Sequence, residues 1–112
     1  MKGSDAEQIA AAYLLRQGLV MKERNYRCRF GEIDLIMSEG QQLVFVEVRM
    51  RASDAFGGAA GSITAAKRAK LLRTARHYLS GLGNQPACRF DAVLISGDHN
   101  PVIDWIRNAF GE

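Results

Sequence analysis

The feature that most constrains the fold is a single glutamate inside an apolar run. Residues 43–48 have the sequence LVFVEV, which is apolar on both faces and typical of a strand in the middle of a sheet. Burying an ionised carboxylate without a partner costs several kcal/mol, a large part of the roughly 5 to 15 kcal/mol that stabilises a whole domain. Glu47 therefore needs a compensating partner.

The first candidate partner is Arg49. It lies two residues beyond Glu47 on the same predicted strand, so the two side chains share a face and can form a salt bridge. This explanation requires no ligand, and from the residues of this strand alone it is as good as any other.

The second candidate is a cation shared with Asp34, on the preceding strand-like segment. A two-residue hairpin loop at Gly40–Gln41 places Asp34 directly opposite Glu47, and a loop at Glu39–Gly40 places the two acids diagonally. In both registers the Cβ atoms lie within about 5 to 8 Å, so the side chains can converge on one ion.

Two neighbouring carboxylates repel each other unless a cation or a proton intervenes. The single positive charge of Arg49 does not balance two negative carboxylates. The pair therefore predicts a hard divalent cation, Mg²⁺ or Mn²⁺, held by Asp34 and Glu47. Such an ion polarises a phosphoryl group and lowers the pKa of a bound water, while a fixed positive charge stabilises the transition state. The predicted chemistry is phosphodiester hydrolysis.

The remaining segments predict an α/β fold in one domain spanning residues 1–112. Ser4 and Glu7 have the spacing of a capping box, and apolar residues follow at helical spacing until Gly18. The stretch 52–62, rich in Gly, Ala and Ser, predicts a mobile loop. The order is helix, three strands, helix, two strands, with strands at 19–29, 31–37, 43–50, 88–96 and 102–107 and the second helix capped by Ser62 or Thr64.

Positive charge is concentrated in three places, although the net charge of +3 is mild. These are residues 22–29, the pair Arg49 and Arg51, and residues 67–76 on the second helix. A polyanion is a plausible partner, and a solvated surface is the alternative explanation of each cluster. On the second helix the apolar side chains predict the buried face, and the predicted outward face carries Lys67, Lys70, Arg73 and His77.

The composition predicts a cytosolic protein without a membrane partner. No apolar run approaches the roughly 20 residues of a membrane helix, and residues 1–8 lack the pattern of a secretory signal. Cys28 and Cys88 are isolated in sequence and far from His77 and His99, so we expect two reduced, partly buried thiols and no zinc site.

Five segments together resemble the YraN family of small bacterial proteins. They are GEIDLI at 31–36, VFVEVR at 44–49, FGGAA at 56–60, Lys67, and RFDAVLI at 89–95. That family is similar in turn to the archaeal Holliday junction resolvases and to the PD-(D/E)xK nuclease superfamily. The resemblance extends from Glu7 to Phe110.

The resemblance implies a restriction-endonuclease-like fold, a mixed sheet flanked by helices, with Asp34 and Glu47 as metal ligands. It implies a metal-dependent endonuclease of Holliday-junction-resolvase type that acts on DNA, including branched forms, as a homodimer. Resolvase-like members also carry a glutamate on the first helix that approaches the metal, and Glu7 stands at that place. Glu7 can serve this role, the capping box with Ser4, or both.

Arg49 departs from the motif, whose lysine can orient the attacking water or take part in proton transfer. Arginine stays protonated and acts only as a donor and a fixed charge. Two further hypotheses therefore stand beside the nuclease: a DNA-binding module that has lost turnover, and a protein-interaction adaptor with a vestigial site.

Several other residues have two interpretations each. Lys67 can reach a substrate phosphate or replace the missing lysine, and with Arg51, Lys70 and Arg73 it is a predicted DNA contact; a solvated helix face is the alternative. Tyr26 and Phe56 can stack on bases or pack in the interior.

Two acids outside the predicted pair are secondary candidates. Regular alternation places Glu32 on the face of Asp34, where it can act as an extra ligand or remain an exposed acid. Asp91 is expected to pair with Arg89 or another base and not to reach the metal.

Overall fold

The computed structural model describes residues 3–51, 63–97 and 99–110. Its element order is the predicted one, and the predicted mobile loop at 52–62 lies outside the described residues, as does Phe56. The elements are α1 (Gly3–Arg16), β1 (Val20–Cys28), β2 (Gly31–Glu39), β3 (Gln42–Arg51), α2 (Ala65–Ser80), β4 (Cys88–Ser96) and β5 (Val102–Phe110).

The five strands form one mixed sheet in the order β1-β2-β3-β4-β5. Neighbouring strands are antiparallel except β3 and β4, which are parallel. A parallel pair needs a crossover connection, and α2 lies in it. β3 occupies the centre of the sheet, as its apolar sequence predicted, and β1 is an edge strand.

The two helices lie on opposite faces of the sheet, and each covers its own hydrophobic cluster. α1 buries Ala6, Ala10, Ala11 and Leu14 against Leu35, Met37, Val44, Val46, Val93 and Ile95. α2 buries Leu71 and Ala75 against Ile33, Ile36, Leu43, Phe45, Phe90 and Ala92. The fold is therefore an α/β fold in three layers, a mixed sheet flanked by helices.

α2 lies directly against the beginning of β2. Gly31 has a φ of +147°, and a Cβ atom there would lie 3.2 Å from Thr74 Oγ1 and 3.8 Å from Lys70 Cβ. A side chain at Gly31 would separate the helix from the strand, because 3.2 Å is tighter than ordinary packing allows. The glycine thus fixes the position of α2 over the sheet.

Thr64 is the N-cap of α2, one of the two predicted caps. Its side chain accepts a hydrogen bond from the Lys67 backbone N–H at 3.1 Å, which satisfies one of the free donors of the first turn. The predicted cap of α1 is wrong: the helix already begins at Gly3, so Ser4 lies inside its first turn. Neither helix is long and apolar enough to span a membrane, within the described residues.

Candidate active site

The β2–β3 hairpin brings the two predicted acids together. Glu39 pairs with Gln42, so the loop is Gly40–Gln41, the first of the two predicted registers. Gly40 adopts a φ of +60°, a conformation that glycine accepts at little cost and that tight hairpins require. The same register continued one residue past the last regular pair puts Asp34 opposite Glu47.

Asp34 is held in place by the neighbouring strand. Regular pairing of β2 with β3 ends at Leu35 and Val46, and beyond it Asp34 Oδ2 accepts a hydrogen bond from the Val48 backbone N–H at 2.8 Å. The carboxylate therefore takes the place of a backbone acceptor. Because the bond is short and part-buried, it orients the half-buried Asp34 side chain toward β3.

Glu47 is buried, with 6% of its surface exposed. Its pKa is raised from 4.5 to about 7, chiefly by burial and then by the charge of Asp34 and a hydrogen bond between the two carboxyl groups. Glu47 therefore holds a proton more readily near neutral pH than a solvated glutamate does. The structure thus contains the predicted repulsion between the carboxyl groups of Asp34 and Glu47.

Lys67 forms an ion pair with Glu47. Its Nζ lies 3.7 Å from Glu47 Oε2, and its charge lowers the pKa of Glu47 more than the charge of Arg49 does. The prediction that Lys67 lies on the outward face of α2 is wrong, because its side chain is only 35% exposed and turns toward the sheet. Lys70, Arg73 and His77 are exposed, as predicted.

Glu7 lies on α1, the helix on the other face of the sheet. Burial raises its pKa, and the charge of Asp34 is the next largest cause, which places the two carboxylates in each other's field. The Asn25 side chain donates a hydrogen bond to Glu7, and Arg24 adds a favourable charge. Sequence reasoning missed Asn25, since an isolated asparagine in an exposed edge strand carries no signal of its own.

The donor set fits a cation that takes few protein ligands. Among residues 3–51, 63–97 and 99–110, no three His, Cys, Asp or Glu side chains form a ready-made metal cluster. Mg²⁺ is commonly held by one or two carboxylates and completes its shell with water. Asp34 and Glu47 could supply two such oxygen ligands, and a divalent cation would offset the repulsion between them, which contributes to the raised pKa of Glu47.

Asp91 belongs to a separate, buried ion-pair network. It is fully buried and pairs with Arg89, whose Nε lies 3.0 Å from Asp91 Oδ1, as predicted. Trp105 Nε1 and the Asn108 backbone N–H also donate to it, both at 2.9 Å. Since these donors account for both oxygens, Asp91 supports the junction of β4 with β5.

Glu32 and Tyr26 do not join the acidic pair. Glu32 Oε2 pairs with Arg27 Nε at 2.9 Å on the surface, so it is an exposed acid with a partner of its own. Tyr26 packs edge-on against Tyr78 and hydrogen-bonds His77 through its hydroxyl group. Tyr26 is therefore a packed aromatic, and the Arg51 side chain lies outside the described residues.

The cysteines are half-buried free thiols, as predicted. Cys28 ends β1 and Cys88 begins β4, and neither forms a disulfide.

Comparison with known proteins gives one family. Residues 6–95 match the model of "Uncharacterised protein family UPF0102". A UPF0102 protein of Nitrosomonas europaea is 68% identical over 111 residues, covering 99% of this chain and 94% of that protein. UPF0102 proteins of Nitrosospira multiformis and Nitrosococcus oceani are 59% and 50% identical, covering 98% and 97% of this chain and 92% and 90% of their own lengths.

Proposed function

The chain belongs to the UPF0102 family, and we propose that it is a metal-dependent endonuclease that hydrolyses phosphodiester bonds in DNA. UPF0102 is the YraN family, so that resemblance is confirmed. The relation to Holliday junction resolvases and a restriction-endonuclease-like ancestry belong to the proposal, together with preference for branched DNA and action as a homodimer. The mixed sheet with a helix on each face is consistent with them.

The observation that carries the proposal is the pair Asp34 and Glu47, joined by a hydrogen bond with a lysine 3.7 Å from Glu47. A buried carboxylate with a raised pKa costs stability at neutral pH, because a solvated glutamate would be ionised there. Strain of this kind, with a specific charge partner, is characteristic of functional sites. An apolar residue at position 47 would fill the strand without this cost.

Asp34 and Glu47 would hold the cation, Mg²⁺ or Mn²⁺, which supplies Lewis-acid stabilisation of the phosphoryl group and a more acidic water. The protein contributes orientation and charge. The Val48 N–H fixes the Asp34 carboxylate, and Arg49 provides a permanent positive charge for the phosphoryl oxygens.

Lys67 supplies a group that can exchange a proton, which Arg49 lacks. An amine can release and accept a proton at Nζ, whereas a guanidinium stays protonated. Lys67 reaches Glu47 from α2, so a lysine lies beside the acidic pair although the motif position on β3 carries arginine. We propose that Lys67 performs the role of the motif lysine.

The charge of α2 favours a polyanionic substrate. Its sequence AAKRAKLLRTARHYLS contains five Lys and Arg residues and no acid, whereas α1 carries two acids and one arginine. Lys67 and Arg68 lie in the first turn, where the helix dipole disfavours cations, so their presence costs helix stability. DNA phosphates would compensate this cost, with Lys67, Lys70 and Arg73 as contacts together with Arg51.

The direct test incubates the protein with branched, flapped and linear duplexes in Mg²⁺ or Mn²⁺. We expect cleavage that is lost in Asp34→Asn and Glu47→Gln. Asp34→Asn keeps an acceptor for the Val48 N–H, so it removes charge with little change of structure. Cleavage at the wild-type rate in either variant would refute the proposal.

A second candidate function follows from Arg49. If Arg49 has ended turnover, the protein is a DNA-binding module that retains the acidic pair. It would then bind DNA in a salt-dependent manner without cutting it under any metal condition. Restoration of cleavage by Arg49→Lys would identify the arginine as the cause.

A further inference from the structure

Phe30 lies outside the apolar interior. With Arg29 it forms the tight turn between β1 and β2, because Cys28 pairs with Gly31 across it. Such turns favour glycine, proline and short polar residues, so the backbone has no need of an aromatic side chain there. Among the described residues, Phe30 packs in neither of the two hydrophobic clusters. Neither the turn nor the core therefore accounts for this half-buried ring.

Charged and polar side chains surround the Phe30 ring. The Arg29 guanidinium lies over it, 4.8 Å from the ring centre, and the His77 ring approaches it edge-on with the ring centres 6.1 Å apart. His77 is itself held by a hydrogen bond with the Tyr26 hydroxyl group. A guanidinium stacked on a ring keeps its N–H donors at its edge, where a phosphate can accept from them. The turn thus presents an aromatic ring beside donors for an anion.

Basic residues of α2 continue this surface. The helix packs against the turn, since a Cβ atom at Gly31 would lie 3.8 Å from Lys70 Cβ. Lys70, Arg73 and His77 follow one another at spacings of three and four residues, so they form one exposed stripe along the helix. The ring at the turn therefore adjoins a row of cationic and polar side chains.

The cations of this surface have no acidic partner among residues 3–51, 63–97 and 99–110. Arg29, Lys70 and Arg73 form no ion pair there, whereas Arg27, in the same hairpin, pairs with Glu32 at 2.9 Å. Uncompensated cations beside an aromatic ring match a ligand that carries both phosphates and flat bases.

We propose that the surface formed by Arg29, Phe30, Lys70, Arg73 and His77 binds unpaired DNA, with one base stacked on the Phe30 ring. The cations attract any polyanion, but a ring can stack only on a base that has left the duplex stack. Arg29 is exposed, so its guanidinium can move from the ring to a phosphate when a base takes its place. The inference rests on the proposed function, since it names the form of DNA that reaches the same site.

The surface lies at a definite distance from the acidic pair along α2. His77 is ten residues beyond Lys67, which is about 15 Å along the helix axis. A strand that follows the helix with the duplex rise of about 3.4 Å would have its unpaired base about four nucleotides from the phosphate at Lys67. The proposed substrate is therefore DNA with an unpaired segment close to the bond that is cut.

The experiment measures the affinity for a labelled oligothymidylate by fluorescence anisotropy, in a chelator so that no cation takes part. Phe30→Leu should weaken binding about tenfold, within the usual effect of losing one stacked base. Phe30→Tyr keeps an aromatic ring and should bind as the wild type does. An abasic oligomer of the same length should bind the wild type and Phe30→Leu equally, because it has no base to stack. Thermal unfolding of both variants controls for general loss of structure.

Arg27→Gln is a matched control for Arg29→Gln. Each substitution removes one exposed cation from the same hairpin, but Arg27 is already paired with Glu32. Arg29→Gln should reduce the slope of log affinity against log salt concentration by about 0.7, the value for one phosphate of a single strand. Arg27→Gln should keep the wild-type slope, and equal slopes for the two variants would overturn the part assigned to Arg29.

Three results would overturn the stacking of a DNA base on Phe30. They are unchanged affinity of Phe30→Leu for oligothymidylate, an equal loss on the abasic oligomer, and tighter binding of oligouridylate, which would assign the surface to RNA. Failure of the proposed function is a separate result. A protein that cuts no DNA in Mg²⁺ or Mn²⁺ would still show the difference between wild type and Phe30→Leu in the chelator.

Discussion

Lys67 Nζ lies 3.7 Å from Glu47 Oε2 and joins the first turn of α2 to the central strand β3. The Glu47 side chain is 7% exposed, and burial raises its pKa to about 7 even with Lys67 beside it. The charge of Lys67 therefore compensates the buried carboxyl group of Glu47 only in part.

The first prediction concerns pH and the free energy of unfolding without metal. The pKa of Glu47 is about 7 in the folded protein and near 4.5 when unfolded. The folded protein therefore binds this proton more tightly than the unfolded chain does. The stabilisation that results is fully present below about pH 4.5 and is lost as pH rises through about 7. Urea unfolding in the presence of a chelator should show that the free energy of unfolding falls by about 3 kcal/mol as pH rises from about 4.5 to above 7.

Glu47→Gln supplies the control, because glutamine does not titrate. The difference in unfolding free energy between wild type and Glu47→Gln should fall as pH rises. Parallel pH profiles for the two proteins would contradict the raised pKa.

The second prediction concerns metal affinity. A cation competes with the proton of the Asp34–Glu47 pair, so Mn²⁺ binding should tighten as pH rises through about 7 and release protons. Calorimetry in buffers of different ionisation enthalpy measures both effects. Asp34→Asn should abolish binding, and affinity independent of pH would be inconsistent with this pair as ligands.

The third prediction concerns Lys67. Lys67→Met keeps most of the aliphatic stem and removes the amine, and cleavage should fall about 100-fold in kcat, the usual loss for one charge-stabilising group. Lys70→Met on the exposed side of the same helix is the matched control. It should raise KM for DNA with little effect on kcat, and an equal kcat in both variants would exclude a special role of Lys67.

The fourth prediction concerns DNA affinity. Removing one phosphate contact, by Lys70→Gln or Arg73→Gln, should reduce the salt dependence of binding by about one unit of log–log slope. Arg16→Gln is the control, because it makes the same charge change at an exposed residue of α1, on the other face of the sheet. Fluorescence anisotropy with a labelled duplex should show the wild-type salt dependence of binding for Arg16→Gln. Equal effects of substitutions on both faces would argue against α2 as the DNA-binding surface.

Much of this architecture follows from local sequence rules. Thr64 can accept from a free backbone donor, which makes it a cap, and the apolar run around Phe45 predicts the central strand. Hairpin parity predicts that Asp34 lies on the face of Glu47, because a two-residue loop fixes the register.

The parts that sequence reasoning missed depend on departures from regular geometry. Alternation assumes a regular strand, but Ile33 packs under α2 and Leu35 under α1, so β2 changes face between them, opposite the left-handed Asn25. Helical periodicity likewise assigned Lys67 to the solvent, whereas the long side chain bends inward from the first turn to Glu47. Both depend on tertiary contacts, which local periodicity does not encode.

The hydrogen bond between Asp34 and the Val48 N–H also has a mechanical consequence, because it continues the contact of β2 with β3 beyond the last regular pair. A cation held by Asp34 and Glu47 would cross-link the same two strands. Like other cross-links, it would reduce local opening of the β2–β3 hairpin, which hydrogen exchange of the Val48 N–H would register.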